Sequence, residues 1–584
     1  MSGYWQESNR RRYLQSAAAR AMMMSIVLLS AALVWHDLGS REVLGRDENA
    51  TIIKLDQPDL QAVLAVTGMR ITGGPGNMQP LYFLLQFLFW PLVERSAFML
   101  RFLPSAFALL GVVMTYKLGE ALFSREVGLL GALFTALLPL QVRYAQIARP
   151  YTLLALLSLA SAYFVVRGLQ SNRPLYWAGF VLTATLNFYT HYNALFVLLV
   201  EGLFASVVWL TMLVRVLQKQ QKAGRLVGPL LGFLAVSALC LPGILRLLRL
   251  PWVGVEGGGE PGIVVAVELS VPFFHRFLNE IGLTTCLLRG LVLGLMGLGL
   301  AAILYRRRWQ AALFAVLWLA IPFLILSAMK SPRPFEERYV IFVPPVAFLL
   351  VGQGVVALGQ MLGALGHGWS PRASRWAVTV AVSAGLALLF MAPLRAHYVA
   401  NRAADRLDFT LKAVEGQARP GDVVVVSPRT FVRPLDVNGA EVLYLTPSER
   451  LSPAGLDDLA QNYQRMWILY TTFLPAVELQ EPMDQWVQAQ QDTFVRVPIK
   501  APSALAYGYL APIDAEANLK DRIAVLEELI RGPAGKHGRW VRHSILADAY
   551  QSLGDLHASR GNSTLAAEYW NRAEKTRAAA PPPW

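Results

Sequence analysis

Cysteine is almost missing from this 584-residue chain, with Cys240 and Cys286 the only two. Both fall inside or beside apolar segments, so neither a disulfide framework nor a cysteine-based zinc site follows, and the redox compartment stays open. Charge is scarce too. Asp, Glu, Lys and Arg make up 16% of the residues against 55% hydrophobic, and mean hydropathy is +0.41. That balance is too apolar for one soluble core of this length and defines a polytopic membrane protein. Acidic residues are the rarer sign, 39 against 53 basic, for a net charge of +14. In a soluble chain this surplus would suggest nucleic-acid binding; here it is spent in short loops, and no nucleic-acid partner is expected. Arg10 to Arg12 and Arg20 precede the first apolar stretch. Arg167 with Arg173, Arg215 with Lys219, Lys222 and Arg225, Arg306 to Arg308, and Arg372 with Arg375 follow. The pattern is the positive-inside signature.

Segments of about 20 apolar residues, enough to cross roughly 30 Å of hydrocarbon, recur up to Leu394 and then stop. The spans read as 21–39, 98–120, 127–141, 151–168, 175–188, 193–214, 227–248, 284–304, 310–328, 340–362 and 376–394. With residues 1–20 as a cytoplasmic basic N-terminus, about eleven crossings place the C-terminus outside. His36-Asp37-Leu38-Gly39 lacks a small-x-small cleavage site, so the first span is expected to be an anchor rather than a cleaved signal. Pro80 to Leu92 is short for a crossing and reads as interfacial or re-entrant, beside an amphipathic stretch from Pro58 to Arg70.

This topology gathers the chemically varied loops on the outer face, with residues 40–97 as the first and longest. Four elements there could carry chemistry. Asp47-Glu48 opens the first outer loop, where a carboxylate can act as a general base or bind a cation; the alternative is a solvated loop. Arg143 to Tyr151 packs Arg143, Tyr144, Arg149 and Tyr151 into nine residues, suited to phosphate or carboxylate, or to interfacial anchoring. Phe188 to Asn193 holds His191, a ligand or proton carrier or simply a hydrogen-bonded interfacial histidine. Lys330 to Tyr339 sets Lys330, Arg333 and Arg338 beside the bilayer, where they could hold a lipid phosphate or pair with Glu336 and Glu337.

The succession of these elements with Gln79-Pro80-Leu81-Tyr82, Leu100-Arg101-Phe102-Leu103-Pro104-Ser105-Ala106, Leu122-Phe123-Ser124-Arg125 and Glu337-Arg338-Tyr339 resembles the polytopic GT-C glycosyltransferases. The resemblance is to the branch of protein O-mannosyltransferases and lipid A aminoarabinose transferases, and runs in order over about residues 20–394. It implies inverting transfer of a sugar, mannose-like or a pentose, from a polyprenyl-phosphate donor to a protein, lipid or glycan acceptor at the outer face of a bacterial inner membrane. It also implies Asp47 as the catalytic carboxylate with Glu48 as its acidic neighbour, and Arg101, Arg149 and Arg338 as donor-side cations. Arg143, Tyr151, His191, Lys330 and Arg333 join them as candidate donor-binding residues. Ile147 departs from the family's Ser-Gln-Glu-Ala-Arg run by replacing its glutamate; with few histidines, no metal is supported, though a divalent cation stays open. The lack of a Trp-Trp-Asp-Tyr-Gly run argues against an oligosaccharyltransferase. A rival is a transporter of lipid-linked sugar, or a scaffold.

The fold class is thus a polytopic α-helical membrane domain over 21–394 with a soluble C-terminal part. Val423 to Val426, Glu441 to Leu445 and Met466 to Thr471 read as strands and Leu407 to Ala418 as a helix, a small α/β domain over 395–513. Residues 514–577 read as helical, with Leu553-Gly554, Gly561, Ala566-Ala567, Tyr569 and Ala573 resembling one tetratricopeptide-type hairpin that packs on its own domain or docks a protein partner. The proline-rich tail 578–584 is expected to be disordered.

Overall fold

The structure, a computed structural model, describes residues 2–39, 46–55, 57–67, 79–249, 265–266, 271–328, 330–331, 336–365 and 370–403. Beyond these it describes 420–427, 439–444, 457, 462–463, 465–471, 494–497, 505–510, 515–531 and 536–580. The chain divides into two compact units, one of Met1–Ser40 with Lys54–Arg402 and one of Arg41–Ile53 with Ala403–Trp584.

In chain order the helices are α1 (Ser2–Trp35), α2 (Arg46–Leu55), α3 (Leu60–Thr67), α4 (Leu81–Phe89), α5 (Ala97–Leu122), α6 (Arg125–Ala136), α7 (Pro139–Ala145) and α8 (Tyr151–Ser171). They continue as α9 (Pro174–Phe188), α10 (Ala194–Leu217), α11 (Val227–Arg249), α12 (Val271–Glu280), α13 (Cys286–Tyr305), α14 (Trp309–Ala328), α15 (Val343–Leu365) and α16 (Pro371–Ala403). Among the described residues nine helices are long and apolar enough to cross a bilayer, and the pair α6 and α7, bent by 61°, makes ten. The bend falls where Pro139, at the start of α7, cannot continue the hydrogen-bond ladder of α6. The remaining expected span is α9, whose 15 residues cover only about 22 Å of helix.

Hydrogen bonds show which helix ends meet. At one end Gln170 Nε2 donates to the Ala121 carbonyl, Asn172 Nδ2 to that of Gly224, and Arg308 Nη1 to that of Phe123, while Arg375 pairs with Glu126. At the other, Gln146 Nε2 donates to the carbonyls of Val34 and His36, the Leu81 N–H to that of Tyr189, and Asn193 Nδ2 to that of Tyr339. The chain shuttles between these ends, α9 included, so the bundle is traversed as the sequence predicts even though α9 fails on length alone. The first end carries the short arginine-rich turns. Leu122-Phe123-Ser124-Arg125 belongs to it: the Ser124 hydroxyl caps α6 by accepting from the Val127 N–H, and Arg125 pairs with Glu120 at 2.8 Å.

Small residues let the helices close up. A side chain at Gly354 would run into the Leu295 carbonyl, and one at Gly299 into that of Leu350, so α13 and α15 touch backbone to backbone. The stretch expected to be interfacial is α4 followed by a 3₁₀ turn, Trp90–Leu92; the other stretch contains α3.

In the second unit, β3 (Asp422–Ser427) lies parallel to both β4 (Glu441–Tyr444) and β5 (Arg465–Thr471), following β1 (Val265–Ala266) and β2 (Lys330–Ser331) of the first unit. Val423, Val424 and Val425 are buried, as a continuous β-branched run in a central strand should be. Two strands not anticipated, β6 (Phe494–Val497) and β7 (Leu505–Leu510), add antiparallel to give the order β4-β3-β5-β7-β6. Gly508 and Ala506 dilute the β-branched signal that would have announced β7. Three helices follow, α17 (Ala515–Arg531), α18 (Lys536–Ser559) and α19 (Ser563–Ala578). The α18–α19 hairpin turns at Gly561, whose φ is 77°, and closes because Gly554 leaves room for Trp570 and Ala566 is fully buried. The expected helix 407–418 and residues 581–584 of the tail lie outside the described residues.

Candidate active site

The end of the bundle without the basic turns is built from helix starts. Pro150 follows Arg149, disfavours helix there, and lets α8 begin at Tyr151. The Tyr151 ring is the hub. The Arg149 guanidinium carbon lies 6.0 Å and that of Arg338 5.3 Å from its centroid, with the His191 ring at 5.9 Å and Tyr144 at 5.3 Å. Tyr339 adds a second face, 5.7 Å from the Arg338 guanidinium and 6.0 Å from His191. Such distances are those of cation–π contact, which fixes the direction of a guanidinium as well as its position. Arg338 is steadied further by Glu336, 2.6 Å away, so the pairing weighed from sequence is present.

His191 Nδ1 accepts the Asn193 N–H at 3.2 Å, which puts the proton of the neutral ring on Nε2. Burial, then the charges of Arg149 and Arg338, hold its pKa down at about 4. At neutral pH it therefore supplies a hydrogen bond and no charge.

A third cation, overlooked in the sequence, joins them. Lys54 is buried, its ammonium 4.9 Å from the Phe83 ring centroid, and burial, then the charge of Arg149, lower its pKa to about 8. The only signal was an isolated lysine in the apolar run Ile52-Ile53-Lys54-Leu55. Because the folded pKa lies below the value of 10.5 in the free side chain, the unfolded chain binds more protons between those pH values. Stability should therefore rise as pH goes from 8 to 10.5, and the cost of charging Lys54 is carried in full below 8. Lys54→Met is expected to stabilise the protein at pH 7 by on the order of 1–3 kcal/mol and to flatten that rise. Thermal unfolding in detergent at pH 7 and 9.5 measures this; an unchanged pH slope in the variant removes Lys54 as the titrating group.

The structure thus brings together Arg149, Tyr151, His191 and Arg338. Arg143 is engaged with Glu280 at 2.6 Å, and Arg101 is buried with Nη1 on the Leu38 carbonyl at 3.1 Å, so both tie the framework around the cluster. Lys330 is described only as backbone paired with Ala266, and Arg333 lies outside the described residues. Asp47 and Glu48 start α2, whose residues to Ile53 group with the second unit while Lys54 groups with the first. Glu48 is buried; the Asp47 side chain lies outside the described residues. Among the described residues no group of three or more histidine, cysteine or acidic side chains is placed to hold a metal.

A many-pass helical membrane protein with a clustered set of cations at one end of the bundle is the class that fold and site define. Residues 75–240, which carry Arg101, Arg149, Tyr151 and His191, match the family model described as dolichyl-phosphate-mannose-protein mannosyltransferase. Among solved structures the chain is similar to ArnT from Cupriavidus metallidurans in the apo state, with 14% identity, 85% of this chain and 100% of that one covered, and a TM-score of 0.51. It is also similar to ArnT bound to undecaprenyl phosphate (14% identity, 84% and 99% covered, TM-score 0.49). A third likeness is to the archaeal oligosaccharyltransferase AglB from Archaeoglobus fulgidus in complex with an inhibitory peptide and a dolichol-phosphate (11%, 85% and 74%, TM-score 0.43). No curated protein sequence matches. The fold is GT-C, and the chain is a membrane glycosyltransferase of that fold.

Proposed function

We propose that this glycosyltransferase moves a sugar from a polyprenyl-phosphate carrier to an acceptor at the outer face of the membrane, with inversion at the anomeric carbon. The observation that carries the reading is the convergence of Arg149 and Arg338 on the Tyr151 ring beside an uncharged His191, with Lys54 close enough to Arg149 to feel its charge. Breaking the bond from anomeric carbon to phosphate leaves charge on the departing lipid phosphate, and cations fixed in advance lower that barrier. The matching family description names a donor of the same chemical class. Asp47 takes the acceptor's proton; a single displacement needs one base and one anion clamp, where a retaining route would need two close carboxylates. The arginine-rich end of the bundle faces the cytoplasm by the positive-inside rule, which puts the N-terminus inside, the cluster outside and the C-terminal unit on the outer side of a bacterial inner membrane. The acceptor is a protein, lipid or glycan, and α17–α19 is a surface for a protein partner.

The purified protein, given labelled undecaprenyl-phosphate sugar and a cell-envelope extract as the source of acceptor in detergent, is expected to move label to the acceptor with release of free undecaprenyl phosphate, and to ignore nucleotide sugar. Labelled lipid that crosses vesicle membranes unconsumed would overturn the reading in favour of a transporter.

A further inference from the structure

The end of the bundle opposite the cation cluster holds a cavity of about 440 Å³ between the last turn of α5, the end of α8, α10 and the turn joining α13 to α14. Its deep wall is apolar and belongs to the core, with Leu122, Val166, Phe204 and Val208 all buried. Its mouth is polar and basic, with Arg307, Arg308 and Trp309 exposed and no carboxylate among the described residues that line it. The rim is held by two side-chain bonds to the end of α5, from Arg308 Nη1 to the Phe123 carbonyl at 2.8 Å and from Gln170 Nε2 to that of Ala121 at 3.0 Å.

Arg307 is the odd residue. The α13 helix ends in a Schellman motif, with the Arg308 N–H on the Ile303 carbonyl and the Arg307 N–H on that of Leu304, and Arg307 takes the left-handed position with φ 55°. Glycine is the usual occupant of that position because an L side chain is strained there. Here an arginine is kept, exposed, with no hydrogen-bond or ion-pair partner for its side chain among the described residues.

We propose that this cavity binds an anionic phospholipid of the surrounding leaflet, its phosphate on Arg307 and Arg308 and the upper part of one acyl chain against Leu122, Val166 and Phe204. Size and chemistry agree on that occupant. The volume falls in the range of about 300–1,000 Å³ typical of sites for organic ligands, more than a bare phosphate needs, and the charge at the mouth suits a phosphodiester. An apolar wall behind two cations at a membrane surface matches the two ends of such a lipid. The site is independent of the donor chemistry, since it lies at the far end of the bundle.

The full chain in detergent is titrated with phosphatidylglycerol, phosphatidylcholine or inorganic phosphate, and binding is read by native mass spectrometry and by thermal shift. Phosphatidylglycerol is expected to stay bound and raise the melting temperature, while phosphatidylcholine and millimolar phosphate do neither. Arg307→Gly relieves the left-handed strain, so its lipid-free melting temperature should equal or exceed that of the wild type, yet its affinity for phosphatidylglycerol should fall about tenfold or more. Arg307→Lys should retain part of that affinity. Equal binding of the two phospholipids, displacement by inorganic phosphate, or full affinity in Arg307→Gly would each overturn the proposal.

Discussion

Replacing Arg338 with alanine is expected to slow sugar transfer from the polyprenyl-phosphate donor by about 10²–10³-fold, the usual cost of removing one preorganised stabiliser of developing charge. The guanidinium is held between the Tyr151 and Tyr339 rings and against Glu336 before any ligand arrives, so it needs little reorganisation when charge appears on the leaving phosphate. An interaction that strengthens in the transition state shows mainly in kcat, with a smaller change in KM for the donor. Arg338→Lys keeps the charge but loses the planar fork that stacks on the tyrosines, and should fall between wild type and alanine. Stopped-time assays with labelled donor, on variants whose melting temperature matches the wild type, decide the matter. Transfer by Arg338→Ala within about threefold of wild type would remove the guanidinium from the chemistry.

Asp47→Asn is expected to reduce transfer by about 10²–10⁴-fold while leaving donor binding near wild type, since an amide cannot accept the acceptor's proton. The two variants should therefore separate. Under the proposed mechanism, loss of Asp47 should leave the donor bound and unreacted, whereas loss of Arg338 should act on the lipid phosphate. Equal transfer by Asp47→Asn and wild type takes Asp47 out of the mechanism, and a larger loss in Glu48→Gln than in Asp47→Asn moves the base to the neighbouring position.

Much of this arrangement is legible in the sequence. The spacing of apolar runs and the basic loops between them predicted the passes, because hydrocarbon thickness sets helix length and lipid admits few charges. The α9–α10 junction, Phe188 to Asn193, is assigned to the same end as Arg149 and Arg338 from topology alone. Arg143 and Arg101 could not be told apart from Arg149 in this way. All three are cations at one bundle end, and only packing reveals that one meets Glu280, another a backbone carbonyl and the third a tyrosine ring. Lys54 was missed for the opposite reason: a single lysine in an amphipathic helix reads as a solvated face until its burial is known. In the C-terminal part, the valine run of β3 announced itself, whereas β6 and β7 depend on neighbours distant in sequence.

Several bonds that join the motifs at the cluster end share one property. Gln146 reaches the carbonyls of Val34 and His36, Arg101 that of Leu38, Gln86 that of Leu100, Asn193 that of Tyr339, and the Leu81 N–H that of Tyr189. In every case the accepting atom is a main-chain oxygen, which any amino acid can provide. Apart from the main-chain N–H of Leu81, the donors are particular side chains and the acceptors are not, so the accepting half of each junction is free to change its side chain without losing the joint. A scaffold wired in this way can keep its geometry while its composition drifts, which is how a chain can share a fold with a protein to which it is only 14% identical.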